Sequence, residues 1–231
     1  MTRHLLLAAL MLPVAMPASA AERSFSVTSF DRIRVEGPFA VRLATGKAPS
    51  ARASGSPQAL DTVAVEVNGR TLVVRPNRSS WGGYPGRPVG PVEIAIGTHE
   101  LSSAVLNGSG SLAIDRVKGL AFDLTIQGAG TASIGEVTVD RLTTGIAGAG
   151  SARLAGKALK FTAVVRGTSS LDASGLQSKD IKIGAEGPAT VQASASNSAD
   201  VEAKGLASLT LTGAPACKVR TEGSATVAGC R

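Results

Sequence analysis

The chain has 231 residues, 43% hydrophobic and 3% aromatic, with 24 basic against 17 acidic side chains for a net charge of +7. So few aromatics, and basic residues scattered without a dense run, argue against nucleic acid as a partner. Two cysteines cannot supply the four ligands of a structural zinc site.

The opening residues read as a secretory signal peptide over 1–20. Arg3 and His4 give a short basic start, residues 5–12 are almost wholly apolar, and Ala18-Ser19-Ala20 ends the segment as a small-residue cleavage site. The apolar run is too short, and broken by Pro13, to span a bilayer, and no later stretch is long and apolar enough to do so. Cleavage removes Arg3 and leaves a charge of about +6, 23 basic residues against 17 acidic ones. The expected organisation is therefore a signal peptide followed by one domain over 21–231, with its core at about 30–229. Its location is the periplasm, the outer surface or the medium. A basic chain favours anionic partners such as polysaccharide; the scatter of its charges also fits plain solubility.

Gly37 stands at the centre of a first apolar pattern, with Val35 and Ile33 two and four before it and Val41 and Leu43 four and six after. Next, residues 63–67 and 71–74 flank Asn68-Gly69, the signature of a β-hairpin with a tight primed turn. Residues 77–91, NRSSWGGYPGRPVGP, read as a loop from their glycines and prolines. The loop holds the only Trp and the only Tyr of the chain. Trp81 and Tyr84, with Arg78 and Arg87 beside them, form a candidate ligand-binding set, since flat aromatics beside guanidinium groups stack on sugars or grip anionic groups. An alternating strand, VEIAI, follows at 92–96.

From there the chain repeats. Gly108, Gly128, Gly148, Gly167, Gly187, Gly205 and Gly223 follow one another at 20, 20, 19, 20, 18 and 18 residues. Positions two and four before each glycine, and four and six after it, are nearly all apolar or small; the residues between are mostly polar. Period two on both sides of a glycine predicts short strands joined at a corner, each with one buried face, and no helix satisfies that spacing. The fold expected is all-β: a right-handed parallel β-helix or β-solenoid with coils of about 20 residues, an N-terminal β-hairpin and glycine at each corner. The hairpin is expected to help cover the open end. Five residues before the corners, Lys182, Asp200 and Lys218 become rung neighbours of alternating sign, read as a solvated face of weak pairs. Cys217 and Cys230, thirteen residues apart, are the candidate disulfide of an oxidising compartment, with two free thiols as the alternative.

The ordered set FDRIRVEGPFAVRLATG, VEVNGRTLVVRP, VEIAI and the recurring GSG and GAG phrases resembles the bacterial family described as "putative auto-transporter adhesin, head GIN domain". That resemblance implies an exported, β-solenoid-like domain and supplies no catalytic residues. This chain departs from the pattern in RGTSSL, EGPATV and KGLASL, which lack the second glycine.

No catalytic, cofactor or metal site is expected. His99, the one histidine after residue 20, sits beside Glu100 at a strand end with no nucleophile elbow in view. Asp180 and Asp200 are the carboxylate pair a carbohydrate-active enzyme could use, provided the register slips after Gly187. The leading function is a non-enzymatic, adhesin-like binding module of the cell envelope or surface, with a glycan or a surface protein as partner. The alternatives are a carbohydrate-active enzyme on a β-helix scaffold and a purely structural periplasmic domain.

Overall fold

The computed structural model describes residues 21–77 and 90–230. They form a β-solenoid of about six turns. The regular part begins with β8 (Ser103–Gly108) and continues through β9 (Ser111–Gly128), β10 (Thr131–Gly148), β11 (Ser151–Gly167), β12 (Ser170–Glu186) and β13 (Thr190–Gly205). Successive members pair in parallel, each coil wrapping through its bends as one long hydrogen-bonded run. The last coil is split into β14 (Ser208–Thr212), β15 (Ala216–Gly223) and β16 (Thr226–Ala228).

The apolar columns meet as expected. In the six coils cornered at Gly108 to Gly205, every residue two and four before the glycine, and four and six after it, is buried, from Leu106 and Ala104 to Leu209 and Leu211. The expectation fails in the final coil, where Val219 and Thr221 face solvent and Val227 is half-buried. Inward-pointing side chains in a solenoid are covered by the coil on either side, and no described coil lies beyond this one.

The corners explain the glycines. Gly128 has φ +110°, and a Cβ there would lie 2.7 Å from the carbonyl oxygen of Gly108 one coil below. Glycine is thus required twice over, by the left-handed backbone and by the approach of one coil's backbone to the next. The coil length changes at a different bend: register shifts fall between Ile134 and Val137, Arg153 and Ala155, and Ala173 and Gln177.

The N-terminal part is not simply an earlier stretch of the same winding. β2 (Arg32–Glu36) and β3 (Ala40–Thr45), joined at Gly37, form a coil that is sandwiched. β8 and β9 stack on one side of it. On the other side lie β6 (Thr71–Pro76) and β7 (Glu93–Thr98), from an excursion of the chain. The end is then closed by antiparallel strands. β5 (Val63–Asn68) pairs β6 as the expected hairpin, with Gly69 at φ +61° as first central residue of its turn. Asn68 is the closing pair rather than a central residue, which makes this a Gly-X hairpin of the II′ kind. β4 (Ser50–Gly55) pairs β7, and β1 (Ala21–Phe25) pairs β4. Helix α1 (Pro57–Asp61), capped by Ser56 accepting from the Ala59 N–H, links β4 to β5. A buried Asp31 ties the excursion to the coil, accepting from Arg70 at 3.0 and 2.6 Å and from the Ser102 hydroxyl at 3.0 Å.

Candidate binding surfaces

The predicted ligand set Arg78, Trp81, Tyr84 and Arg87 lies outside the described residues. What precedes it is well placed: the Asn77 N–H donates to the Thr62 carbonyl at 2.8 Å and its side-chain amide to the Asp61 carbonyl at 3.1 Å, which holds Asn77 beside α1 at the capped end. At the opposite end Cys217 and Cys230 are joined by a disulfide, with Cα atoms 5.6 Å apart. The bridge links β15 to the residues after β16 and so closes the last coil on itself.

The carboxylates considered for catalysis are not brought opposite one another. Asp180 is in register with Ser198 and Asp200 with Lys182. The Asp180 carboxylate accepts from the hydroxyl of Ser198 and the amide of Asn197, each at 2.6 Å, and these bonds hold its pKa below the ordinary carboxylate range. A carboxyl held ionised in this way is poorly suited to act as a general acid. His99 is exposed, its carbonyl accepting from the Gly46 N–H at 3.0 Å. Among the described residues no group of three or more His, Cys, Asp or Glu is placed to hold a metal ion.

The lateral surface repeats coil by coil. Lys182, Asp200 and Lys218 are in register as expected, but the close ion pairs form elsewhere. One residue before the corners, Arg166 meets Glu186 at 3.4 Å and Lys204 meets Glu222 at 3.6 Å, while Lys204 also meets Glu202 of its own strand at 3.0 Å. The neighbouring ammonium of Lys204 lowers the pKa of Glu202, and Glu202 in turn raises that of Lys204. All are exposed pairs, screened by water and salt, and add little to stability.

Three surface features escaped the sequence reading. Three residues after each corner stand Ser111, Thr131, Ser151, Ser170, Thr190, Ser208 and Thr226, in register over seven rungs and none of them buried. Counting three outward from each glycine would have found this column. A concavity of about 580 Å³ also runs along the solenoid at the bend where coil length changes, from Gly119 to Gly213. The half-exposed Leu159, with Lys157 and Lys179, lines it. The third feature is a concavity of about 610 Å³ nearer the N-terminal end, lined by Arg42, Lys47 and Arg52 around the small residues Ala95, Gly97 and Ala113. No periodic signal marks these two concavities, since one arises from register breaks and the other from the excursion of the chain.

The architecture defines a class, a β-solenoid whose sides are shallow, extended and open along its length. Residues 29–215 match the family described as "Putative auto-transporter adhesin, head GIN domain", and the chain belongs to that family. Solved structures share the fold. A "putative adhesin" from Bacteroides fragilis superposes with a TM-score of 0.82 at 19% identity, covering 92% of this chain and 98% of the other. A "putative adhesin" from Parabacteroides merdae gives 0.71 at 14% identity, covering 93% and 97%. A "putative lipid binding protein" from Parabacteroides distasonis gives 0.70 at 18% identity, covering 93% and 98%. No curated protein matches the chain. Among the described residues no helix is long and apolar enough to cross a membrane.

Proposed function

We propose that the chain is an exported, non-enzymatic, adhesin-like binding module of the cell envelope or surface. The signal-peptide pattern over 1–20 and the disulfide both fit an oxidising compartment outside the cytoplasm. The observation that carries the reading is the form of the repeat-side concavity: it runs along successive coils from Gly119 to Gly213, where an elongated glycan or a segment of a surface protein can touch several coils at once. The aromatic and cationic composition of Arg78, Trp81, Tyr84 and Arg87 makes that set a second candidate contact in this reading.

The test is retention of the mature protein on a glycan array and on whole bacterial cells, repeated with Trp81→Ala/Tyr84→Ala. Retention that falls in the double variant assigns the loop a binding role. Unchanged retention removes that role and leaves binding to the coils. Absence of retention on every glycan and cell surface refutes the module and leaves a structural domain. Shortening of any polysaccharide on incubation refutes the non-enzymatic reading.

A further inference from the structure

We infer that the N-terminal concavity is a binding slot for the carboxylate groups of an acidic polysaccharide, with Arg42, Arg52 and Lys47 as the recognising residues. The inference rests on the binding-module reading and names a site and a ligand chemistry for it.

Arg52 of β4, Ala95 of β7, Arg42 of β3 and Ala113 of β9 occupy one outward column, each in register with the next. The two arginines therefore stand two rungs apart, about 10 Å at the usual strand spacing, with an alanine between them. A methyl group between two guanidinium groups leaves a notch with an apolar floor, and the walls supply the planar donors that match a carboxylate. Lys47 enters from the β3–β4 turn. That turn is held down by the Lys47 N–H donating to the Thr98 carbonyl and the Gly46 N–H donating to the His99 carbonyl, both at 3.0 Å. Gly97 is what lets the turn come so close: a Cβ there would lie 2.6 Å from the Ser50 Oγ and 2.7 Å from the Ala48 carbonyl oxygen.

The acidic groups nearby offset this charge only in part, two carboxylates against three cations. Asp115 also lines the concavity, but its Oδ1 is turned to the backbone, accepting from the Thr45 N–H at 3.0 Å and the Arg116 N–H at 2.6 Å. Glu93 meets Arg42 at 3.3 Å, but both side chains are more than half exposed, so the pair is weak and leaves Arg42 free to take a ligand. Among the described residues neither Lys47 nor Arg52 forms an ion pair.

The ligand is a polymer rather than a small anion because of what adjoins the slot. The same column continues past Ala113 to Ser133, and the hydroxyl column from Ser111 onward runs beside it. Over the coils from Gly108 to the end, these two columns carry charge only at Arg153 and Asp172, which pair with each other at 3.1 Å. The Ser111, Ser170 and Thr190 hydroxyls have no hydrogen-bond partner among the described residues. A saccharide chain anchored by a carboxylate at the slot can lie along donors and acceptors that are uncharged over the first two rungs beyond it, Ser111/Ala113 and Thr131/Ser133. The two columns present roughly 29 Å by 10 Å at ordinary strand dimensions. That is well short of the about 800 Å² per partner of a stable protein interface, so a chain ligand suits the face better than a second copy.

The test measures co-migration of the mature protein with polygalacturonate in affinity electrophoresis, against its fully methyl-esterified form as the neutral arm and inorganic phosphate as competitor. Polygalacturonate is expected to bind, the methyl ester to bind at least about tenfold more weakly, and binding to weaken with salt. Arg42→Gln/Arg52→Gln is expected to lose about tenfold per guanidinium, and Arg52→Lys to recover only part. Lys218→Gln, at the other end, should bind as the parent does. Equal binding of the ester, parent-like binding by the arginine variant, or an equal fall in Lys218→Gln would overturn the slot. Full displacement by phosphate at concentrations that leave general ionic strength unchanged would overturn the polymer and leave a simple anion site. A parent protein held by cells or by another glycan of the array but not by polygalacturonate sinks the slot alone; one held by no glycan and no cells sinks the binding module as well.

Discussion

Replacing both cysteines, Cys217→Ser/Cys230→Ser, should open the last coil and little else. The bridge spans thirteen residues, and closing a loop of that size is worth about 3 kcal/mol on the chain-entropy estimate. The coil has few other sources of stability. β15 rests on β13 and β16 on β14, and nothing described covers the outer side, so Val219 is 40% exposed. Each coil of a solenoid is held by its neighbours, so a terminal loss stays local. A loss of 3 kcal/mol corresponds to roughly a hundredfold rise in the open population. Hydrogen–deuterium exchange read peptide by peptide should therefore quicken by about two orders of magnitude over 216–229 while β9 to β12 keep their protection. Reduction of the unmodified protein should reproduce the pattern. Unchanged exchange in the last coil, or a fall in protection spread evenly from β9 to β13, would refute the reasoning.

Two further outcomes follow from the same geometry. Gly128→Ala places a Cβ 2.7 Å from the Gly108 carbonyl oxygen at φ +110° and should cost at least about 2 kcal/mol, whereas Gly145→Ala, with nothing within 4 Å of the added Cβ, should shift stability by less than about 0.5 kcal/mol; equal urea midpoints for the two would contradict the corner argument. Asp172, Asp180 and Glu202 all have pKa values lowered in the fold: Asp172 chiefly by the Ser174 hydroxyl, Asp180 chiefly by that of Ser198, and Glu202 chiefly by its bond to Lys204. Their support is fully present above the unfolded carboxylate range, about pH 4, and is lost as pH falls through the lowered folded values. The urea midpoint should hold from pH 7 to about 5 and then decline, and Asp180→Asn should flatten that decline; a midpoint indifferent to acid would count against the carboxylate bonds.

The coils were legible because burial there depends on neighbours that repeat. Once Leu106, Ile126 and Ile146 share a column, each buries the next, and alternation alone identifies the inward set. The same logic could not foresee the last coil, where Val219 keeps the pattern but has no cover. It placed Lys182, Asp200 and Lys218 on successive rungs, yet not the ion pairs, because contact depends on rotamers rather than register. The N-terminal end was hidden for a topological reason. Arg42 and Arg52 are ten residues apart and on different strands, and only the insertion of β7 between β3 and β4 puts them in one column around Ala95. Nothing in local spacing announces a strand that returns from fifty residues later.

The loss of the second glycine in the later coils has a packing explanation. Two residues after each corner the chain reads Gly110, Gly130, Gly150, Ser169, Ala189, Ala207 and Ala225. These small residues turn inward against the side chain two before the corner of the coil below. A Cβ on Gly130 would lie 2.7 Å from Leu106 Cδ2, and one on Gly150 2.8 Å from Ile126 Cγ2. In the later coils the partner column shrinks to Val165, Ala185 and Ala203, and the position two after the corner grows to Ala189, Ala207 and Ala225. Close-packed interiors tolerate exchange of volume between touching positions better than a change in their sum. EGPATV is therefore the same corner with a methyl group moved from one coil to the next; in KGLASL the Ala185 beneath gives up more volume than Ala207 adds, and in RGTSSL Ser169 stands over a full-size Ile146 with no such exchange.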